Sequence, residues 1–306
     1  MENISVEKFR KLNKDTDISE KLARPSTTYW KDAWRRLKEN KIAILAIIVL
    51  LVIGIMTIIG PHINGYSFEE YDSAKVNLKP SAEHWFGTDN LGRDIFSRVW
   101  QGGRVSIVIG IFGALISTVV GCIYGAVSAY FGGKVDNIMM RIVEILASIP
   151  YLIVVILLSI ILDSKSLGTM LLSLTLTGWT GMSRLVRGQM LQIKQQEYIM
   201  AAEALGVSPW NIIKKHLIPN SLGVILVAIT FDIPGYIFAE TFLSYIGLGI
   251  QSPDTSWGAL ASAAQQNFMF CPYQMFFPGL MIALTMLSFT LLGDGLRDAL
   301  DPKLRQ

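Results

Sequence analysis

Charge is what this 306-residue chain has least of: Asp, Glu, Lys and Arg make up 17% of it, against 51% apolar residues. That balance excludes a protein kept in solution by a polar surface and points to an integral membrane protein. A net charge of +3, unevenly placed, is too small to suggest nucleic acid as a partner. Cysteine is nearly absent. Cys122 lies in an apolar run and Cys271 in a polar loop, so a disulfide is not expected and metal-ligand spacing is missing. The three histidines, His62, His84 and His216, fall outside the apolar runs and are expected to be solvated loop residues. No Gly-x4-Gly-Lys-Ser/Thr phosphate loop occurs, so the chain cannot be its own P-loop ATPase. No His-Glu-x-x-His helix or Gly-x-Ser-x-Gly elbow is present either. The fragment GWTGMS, Gly178 to Ser183, suggests an intramembrane serine protease only superficially, because no apolar run contains a histidine to act as base. Asp89 and Asp94 lack the twelve-residue pattern of a calcium loop.

Long hydrophobic runs are what the chain does have. Ile42 to Gly60 supplies nineteen residues, or roughly 28 Å of helix, enough for one crossing. Five more follow: Val105 to Phe131, Ile145 to Leu162, Leu167 to Met182, Leu222 to Ile250, and Met275 to Leu292. Pro234-Gly235 predicts a kink or break in the fifth of the six. Gly110, Gly113, Gly121 and Gly125 give the second a small-residue face for close helix packing. Residues 1–41 read as a polar, basic leader with no cleavage site. Within it, Met1 to about Thr28 is expected to be partly disordered, and Tyr29 to Asn40 to form a surface helix with Trp30 and Trp34 at headgroup level. The expected organisation is therefore a leader (1–41), a first span (42–60), an outer loop (61–104), a five-helix core (105–294) and a tail (295–306).

Six crossings put both ends on one side of the membrane. If that side is the cytosol, inner segments hold twenty-one of the Lys and Arg residues, and outer segments hold six: Lys75, Lys79, Arg93, Arg98, Arg104 and Lys165. The bias obeys the positive-inside rule and assigns residues 184–220 to the cytosol. On the outside, Ser81 to Ser106 reads as a turn-rich cap, with a short amphipathic helix from Asp94 to Gln101 carrying Ile95, Phe96 and Val99. Arg141 and Glu144 are placed to pair within one helix turn.

The polar interval Gln196 to Asn220, QEYIMAAEALGVSPWNIIKKHLIPN, reads as two short helices and a hinge. Tyr198, Ala201, Ala202 and Leu205 recur at helical spacing, and Gly206 is placed as the left-handed stop. In the second helix Ser208 is placed to cap, Pro209 suits the first turn, and Trp210, Ile213 and Leu217 form one apolar stripe opposite Lys214 and Lys215. Pro219 should end that helix. Two apolar stripes on a stretch too polar to span require a partner, which on amphipathicity alone is either a lipid surface or a protein groove.

The interval resembles the EAA loop of permease subunits in binding-protein-dependent ABC importers. Ala201, Ala202, Gly206, Ile218 and Pro219 fall at the family's spacing, while Met200 replaces the usual Glu and His216 the usual Ile. The segment HWFGTDNLGRDIFSR is similar to one in dipeptide and oligopeptide permeases. ETFLSYIGLG (Glu240 to Gly249) and GDGLRDALDP (Gly293 to Pro302) also match, so the likeness covers about Trp34 to Arg305.

That resemblance implies an all-α, six-span type I importer bundle in the bacterial inner membrane, of the C-type. Its implied partners are a B-type permease, two cytoplasmic ATPases that bind ATP and Mg, and an extracytoplasmic peptide-binding protein. The chain itself would hold no cofactor. The loop, from Tyr198 through Pro219, would dock on the ATPases. Asp232 and Glu240, acids at membrane depth, are expected either to line the pathway or to be hydrogen-bonded within the bundle. Two alternatives remain at this level: a nickel or metal-chelate permease of the same branch, and a self-contained secondary transporter or channel.

Overall fold

The computed structural model describes residues 29–251 and 254–301. The leader up to Thr28, the last five residues and the match at Pro302 therefore lie outside the described residues. Among the described residues the architecture is all-helical, with one isolated bridge between Thr88 and Asp94. Helix α1 (Tyr29–Glu39) seats Ala33 and Leu37 inward and exposes Trp30 and Trp34. Asn40 caps α2 (Lys41–Ile59) by accepting from the amides of Ile42 and Ala43. The apolar outer side of α2, from Ile42 through Ile58, faces away from the protein, a surface suited to hydrocarbon rather than water.

Helix α3 (Ile95–Phe131) runs unbroken for 37 residues. The sequence separated its first turns, Asp94 to Gln101, from the span that follows. Gly102 and Gly103 join the two because they pack under Ser256 and Trp257, where a Cβ would meet those atoms at about 3 Å. Asp94 caps the helix by accepting from the amide of Ser97 at 2.8 Å. The third hydrophobic run is not one straight helix. It is split into α4 (Gly133–Ser148) and α5 (Tyr151–Ile161), which meet at 81°. Pro150 accounts for this, since the residue before a proline is pushed out of the helical region, and Ile149 is extended there (ψ 121°).

Helix α6 (Leu167–Lys194) extends twelve residues beyond the predicted end at Met182. Helix α7 (Glu197–Ala204) is short. Helix α8 (Pro209–Tyr245) is continuous over 37 residues, including a wide π-type turn at Ile213–Leu217. The predicted stop at Pro219 and break at Pro234 therefore do not occur. In the wide turn the amide of Ile218 reaches the carbonyl of Ile213, five residues back, and this looser winding accommodates the Pro219 ring. Helix α9 (Trp257–Gln265) and helix α10 (Tyr273–Leu300) complete the chain.

Helices α2, α3, α8 and α10 are each long and apolar enough to cross a membrane, and the bent α4–α5 pair passes the same test when joined. The remaining long helix, α6, carries many Thr, Ser and Gly residues and packs most extensively against α3. Between spans there is no water to exclude, so close approach of backbones provides the attraction. Gly121 and Gly125 lie against Met182, Ser183 and Arg187 of α6, and Gly110 against Ile237 of α8. Helix α3 is thus the central strut, with α6 and α8 on either flank.

Candidate functional site

At one end of the bundle, α6, α7 and the start of α8 form an elbow. Helix α7 stops at Gly206, whose φ of +78° is open to glycine and strained for other residues. Its amide bonds to Glu203 O at 3.0 Å, and the next amide, of Val207, bonds to Ala202 O at 3.1 Å. This pair of bonds is the Schellman arrangement, and it satisfies carbonyls that a helix end would otherwise leave bare. Pro209 then opens α8. Ser208 sits at the cap position but makes no side-chain bond; its carbonyl accepts from Ile212 at 3.1 Å while the hydroxyl faces solvent.

The elbow is fastened from behind. Ile199, Ile212, Ile213 and Leu217 are buried in one cluster with Ala126 and Ala129 of α3 and Met182, Val186, Met190 and Ile193 of α6. An ion pair and a hydrogen bond brace the same end. Arg187 grips Asp136 with two bonds of 2.6 and 2.5 Å, and Lys194 donates to Tyr130 O at 2.5 Å. Four large apolar side chains remain outside, among exposed Glu203, Asn211, Lys214 and Lys215: Leu205 is 84% exposed, Trp210 62%, Met200 52% and Tyr198 47%. Ala201 is exposed and Ala202 partly so, and Pro219 is exposed as well. The sequence grouped Trp210 with Ile213 and Leu217 on one stripe. In the structure they part, Ile213 and Leu217 turning into the bundle and Trp210 out. Met200, the departure from the family's Glu, joins the outward patch.

The two acids of α8 differ sharply. Glu240 is fully enclosed and accepts from Ser106 of α3 at 2.8 Å and Ser244 at 2.7 Å, beside the Ser256 that caps α9. Asp232 is half-buried and has no hydrogen bond or ion pair among the described residues. One turn on, the Tyr236 hydroxyl meets Ser117 of α3 and fills the space beside Gly178 of α6. Arg141 and Glu144 pair at 3.0 Å on the exposed side of α4.

The opposite end carries the loop between α2 and α3. It is locked to α10 by Gln274, whose Nε2 donates to Asn77 Oδ1 and Thr88 O, each at 2.9 Å, and by the Phe86–Phe277 stack at 3.8 Å. His84, expected in solvent, is only 2% exposed and lies 2.9 Å from Asp94. Its burial depends on an aspartate ten residues away and on Tyr66 stacking over it at 4.5 Å, neither of which periodicity reveals.

Residues 117–306 match the family described as binding-protein-dependent transport system inner membrane component, and residues 28–80 match the N-terminal TM domain of oligopeptide transport permease C. The dipeptide transport system permease protein DppC of Bacillus subtilis is 49% identical over 289 residues, covering 94% of this chain and 90% of that one. The oligopeptide transport system permease protein OppC of the same organism is 44% identical over 306 residues and the full length of both. Among solved structures, an inward-facing form of the MetNI methionine ABC transporter has a TM-score of 0.54 at 19% identity, covering 67% of this chain and 94% of that chain. At that identity the likeness concerns the fold alone.

Proposed function

This chain belongs to the family of binding-protein-dependent transport system inner membrane components, and on that premise we propose that it is the C-type permease of an ATP-driven peptide importer. It provides half of a translocation pathway, a B-type permease the other half. Two cytoplasmic ATPases carry the ATP and Mg, and an extracytoplasmic protein delivers the peptide. The relatives' names supply the peptide assignment. In this reading both termini and the elbow face the cytosol, in line with the distribution of Lys and Arg.

The observation that carries the coupling role is the elbow itself: an apolar patch of Tyr198, Met200, Leu205 and Trp210 held outward on a mount that is buried behind. A helix laid into a groove on a partner has this character. The Schellman stop and the Arg187–Asp136 clamp keep the elbow from deforming, so a displacement of the docked ATPase moves the helices that bear it. Asp232 is assigned to the pathway, where an unpaired carboxylate would meet ammonium groups of passing peptide; Glu240, closed in by serines, ties α3, α8 and α9 together instead.

The test is reconstitution of this chain with a second permease, two ATPases and a peptide-loaded binding protein in vesicles. Peptide should accumulate only with ATP and only with all components. Accumulation by this chain alone would overturn the reading in favour of a secondary transporter.

A further inference from the structure

Helix α1 is held to the bundle by one side, and what it turns outward is sorted by type. On the inner side Leu37 packs with Ala43 of α2 and Ala299 of α10, and the Tyr29 hydroxyl donates to Leu300 O at 3.1 Å. Starting at the edge of the buried Ala33–Leu37 stripe, and at 3.6 residues per turn, Trp30, Trp34, Lys38, Lys31 and Arg35 follow in that order within about 140°. All five are exposed, the two indoles by 49% and 53%. The Lys38 ammonium stands 5.3 Å from the centre of the Trp34 ring, and Lys41, past the Asn40 cap, is exposed as well. The acids lie further round, Glu39 at about 180° and Asp32 at about 200°. Asp32 is already engaged by Arg35 at 2.6 Å and Arg36 at 3.0 Å, so the lysines carry the outward charge.

Indoles set between an apolar stripe and a row of ammonium groups match the layering of a membrane interface. Aromatic rings lie there at headgroup level, and lysine stems reach past them to phosphate. The flank also joins the lipid-suited surface of α2. Ile42 and Leu45, 59% and 60% exposed, come within about one turn of Lys41, so hydrocarbon against α2 puts headgroups beside α1. A zwitterionic headgroup offsets its phosphate with a cation of its own, whereas an anionic one leaves net negative charge for the lysines. From this layering we infer that the flank of α1 from Trp30 to Lys41 binds anionic phospholipid. Lys31, Lys38 and Lys41 donate to its phosphate, and the indoles seat over the upper acyl chains. Because the other side of α1 grips α10, the bound lipid holds the C-terminal end of that span at the same interface. The inference needs only that the chain spans a bilayer, not that α1 lies on a particular side of it.

The experiment reconstitutes the full chain in vesicles of phosphatidylcholine and phosphatidylglycerol, with bromine on the acyl chains of one lipid or the other as a fluorescence quencher. The signal of the flank is the parent's emission less that of a Trp30→Phe/Trp34→Phe variant. That signal should be quenched by either brominated lipid, with phosphatidylglycerol favoured about tenfold at equal amounts. Each of Lys31→Gln, Lys38→Gln and Lys41→Gln should lower the preference about two- to fivefold and the triple variant should abolish it, with thermal melting unchanged; Glu39→Lys should raise it. High salt should weaken it. Equal quenching by the two lipids in the parent overturns the inference, and so does a preference that survives in the triple variant. Quenching by neither lipid means that protein covers the flank and also overturns it. Soluble glycerophosphate should leave the signal unchanged; its displacing the lipid would make the ligand a free anion instead. None of these measurements requires an ATPase or a second permease, so failure here leaves the importer assignment standing.

Discussion

If the elbow is a docking surface, Leu205 and Trp210 should matter to the complex and hardly at all to the chain. Leu205 is 84% exposed, so about a sixth of the 1.5–3 kcal/mol available from burying a leucine is realised within this protein, or roughly 0.3–0.5 kcal/mol. Leu205→Asp should therefore leave melting of the purified chain in detergent nearly unchanged, and Trp210→Asp should shift it only slightly. Against an ATPase groove the expectation reverses. Central aromatic and aliphatic anchors typically contribute about 2–4 kcal/mol, which is roughly a 30- to 1,000-fold loss of affinity for each variant. Leu217→Ala supplies the contrast: it is fully buried and should destabilise the chain by about 2–5 kcal/mol. The assays are thermal melting of each variant, retention of the ATPases on the immobilised permease, and peptide-stimulated ATP hydrolysis in vesicles. If Leu205→Asp and Trp210→Asp retain the ATPases as well as the parent does, the elbow is not the grip and the coupling scheme fails.

At Gly206 an added Cβ would meet no atom within 4 Å, so Gly206→Ala should cost only the left-handed backbone penalty of about 1 kcal/mol. Melting reports that cost, peptide imported per ATP should fall, and Gly206→Asn should be milder in both. A Cβ on Gly125 would strike the carbonyl of Ser183, so Gly125→Val should push α3 off α6 and lower stability by about 1–3 kcal/mol; an unchanged melting profile would contradict the packing described. In the outer loop, the Lys75 ammonium and the Tyr66 hydroxyl donate to Glu83 and hold its carboxyl below the usual glutamate value. A depressed acid contributes stability above its unfolded pKa and loses it as pH falls through the folded one. The protection of amides in residues 61–94, taken relative to the intrinsic exchange rate at each pH, should therefore fall on acidification below the ordinary glutamate range, and Glu83→Gln should flatten that dependence. Asp232→Asn should reduce uptake of peptides with free N-termini, and unchanged uptake with unchanged ATPase stimulation removes Asp232 from the pathway.

Features decided by neighbours in sequence were readable in the sequence. The stop at Gly206, the start at Pro209 and the first span each depend on a few adjacent residues, and the structure has all three. The Arg141–Glu144 pair is equally local. The misreadings share another cause. Periodicity at 3.6 residues per turn grouped Trp210 with Ile213 and Leu217, but the wide turn at Ile213–Leu217 advances less per residue, so phase does not carry across it. Pro219 signals a break only where the preceding turn is tight. Gly102-Gly103 looked like the end of one helix and the approach to another, until Trp257, more than 150 positions away, supplied the surface that holds them helical. The burial of His84 and the Arg187–Asp136 clamp are likewise long-range, and no pattern within one segment encodes them. The bend at Pro150 is the exception: Ile149-Pro150 could have been read locally.

The absence of any joint between the elbow and the far end of α8 has a consequence for timing. Thirty-seven residues in one helix make a rod of roughly 55 Å. A stiff rod held about three-quarters of the way from the elbow to its far end, where Gly110 closes on Ile237 and Tyr236 reaches Ser117, moves its two ends in opposite directions, the elbow end by the larger amount. If the ends of this rod set the two mouths of the proposed pathway, spreading at one forces narrowing at the other, with no interval in which both gape. The two prolines, each lacking one ladder bond, are where such a see-saw would flex if it must.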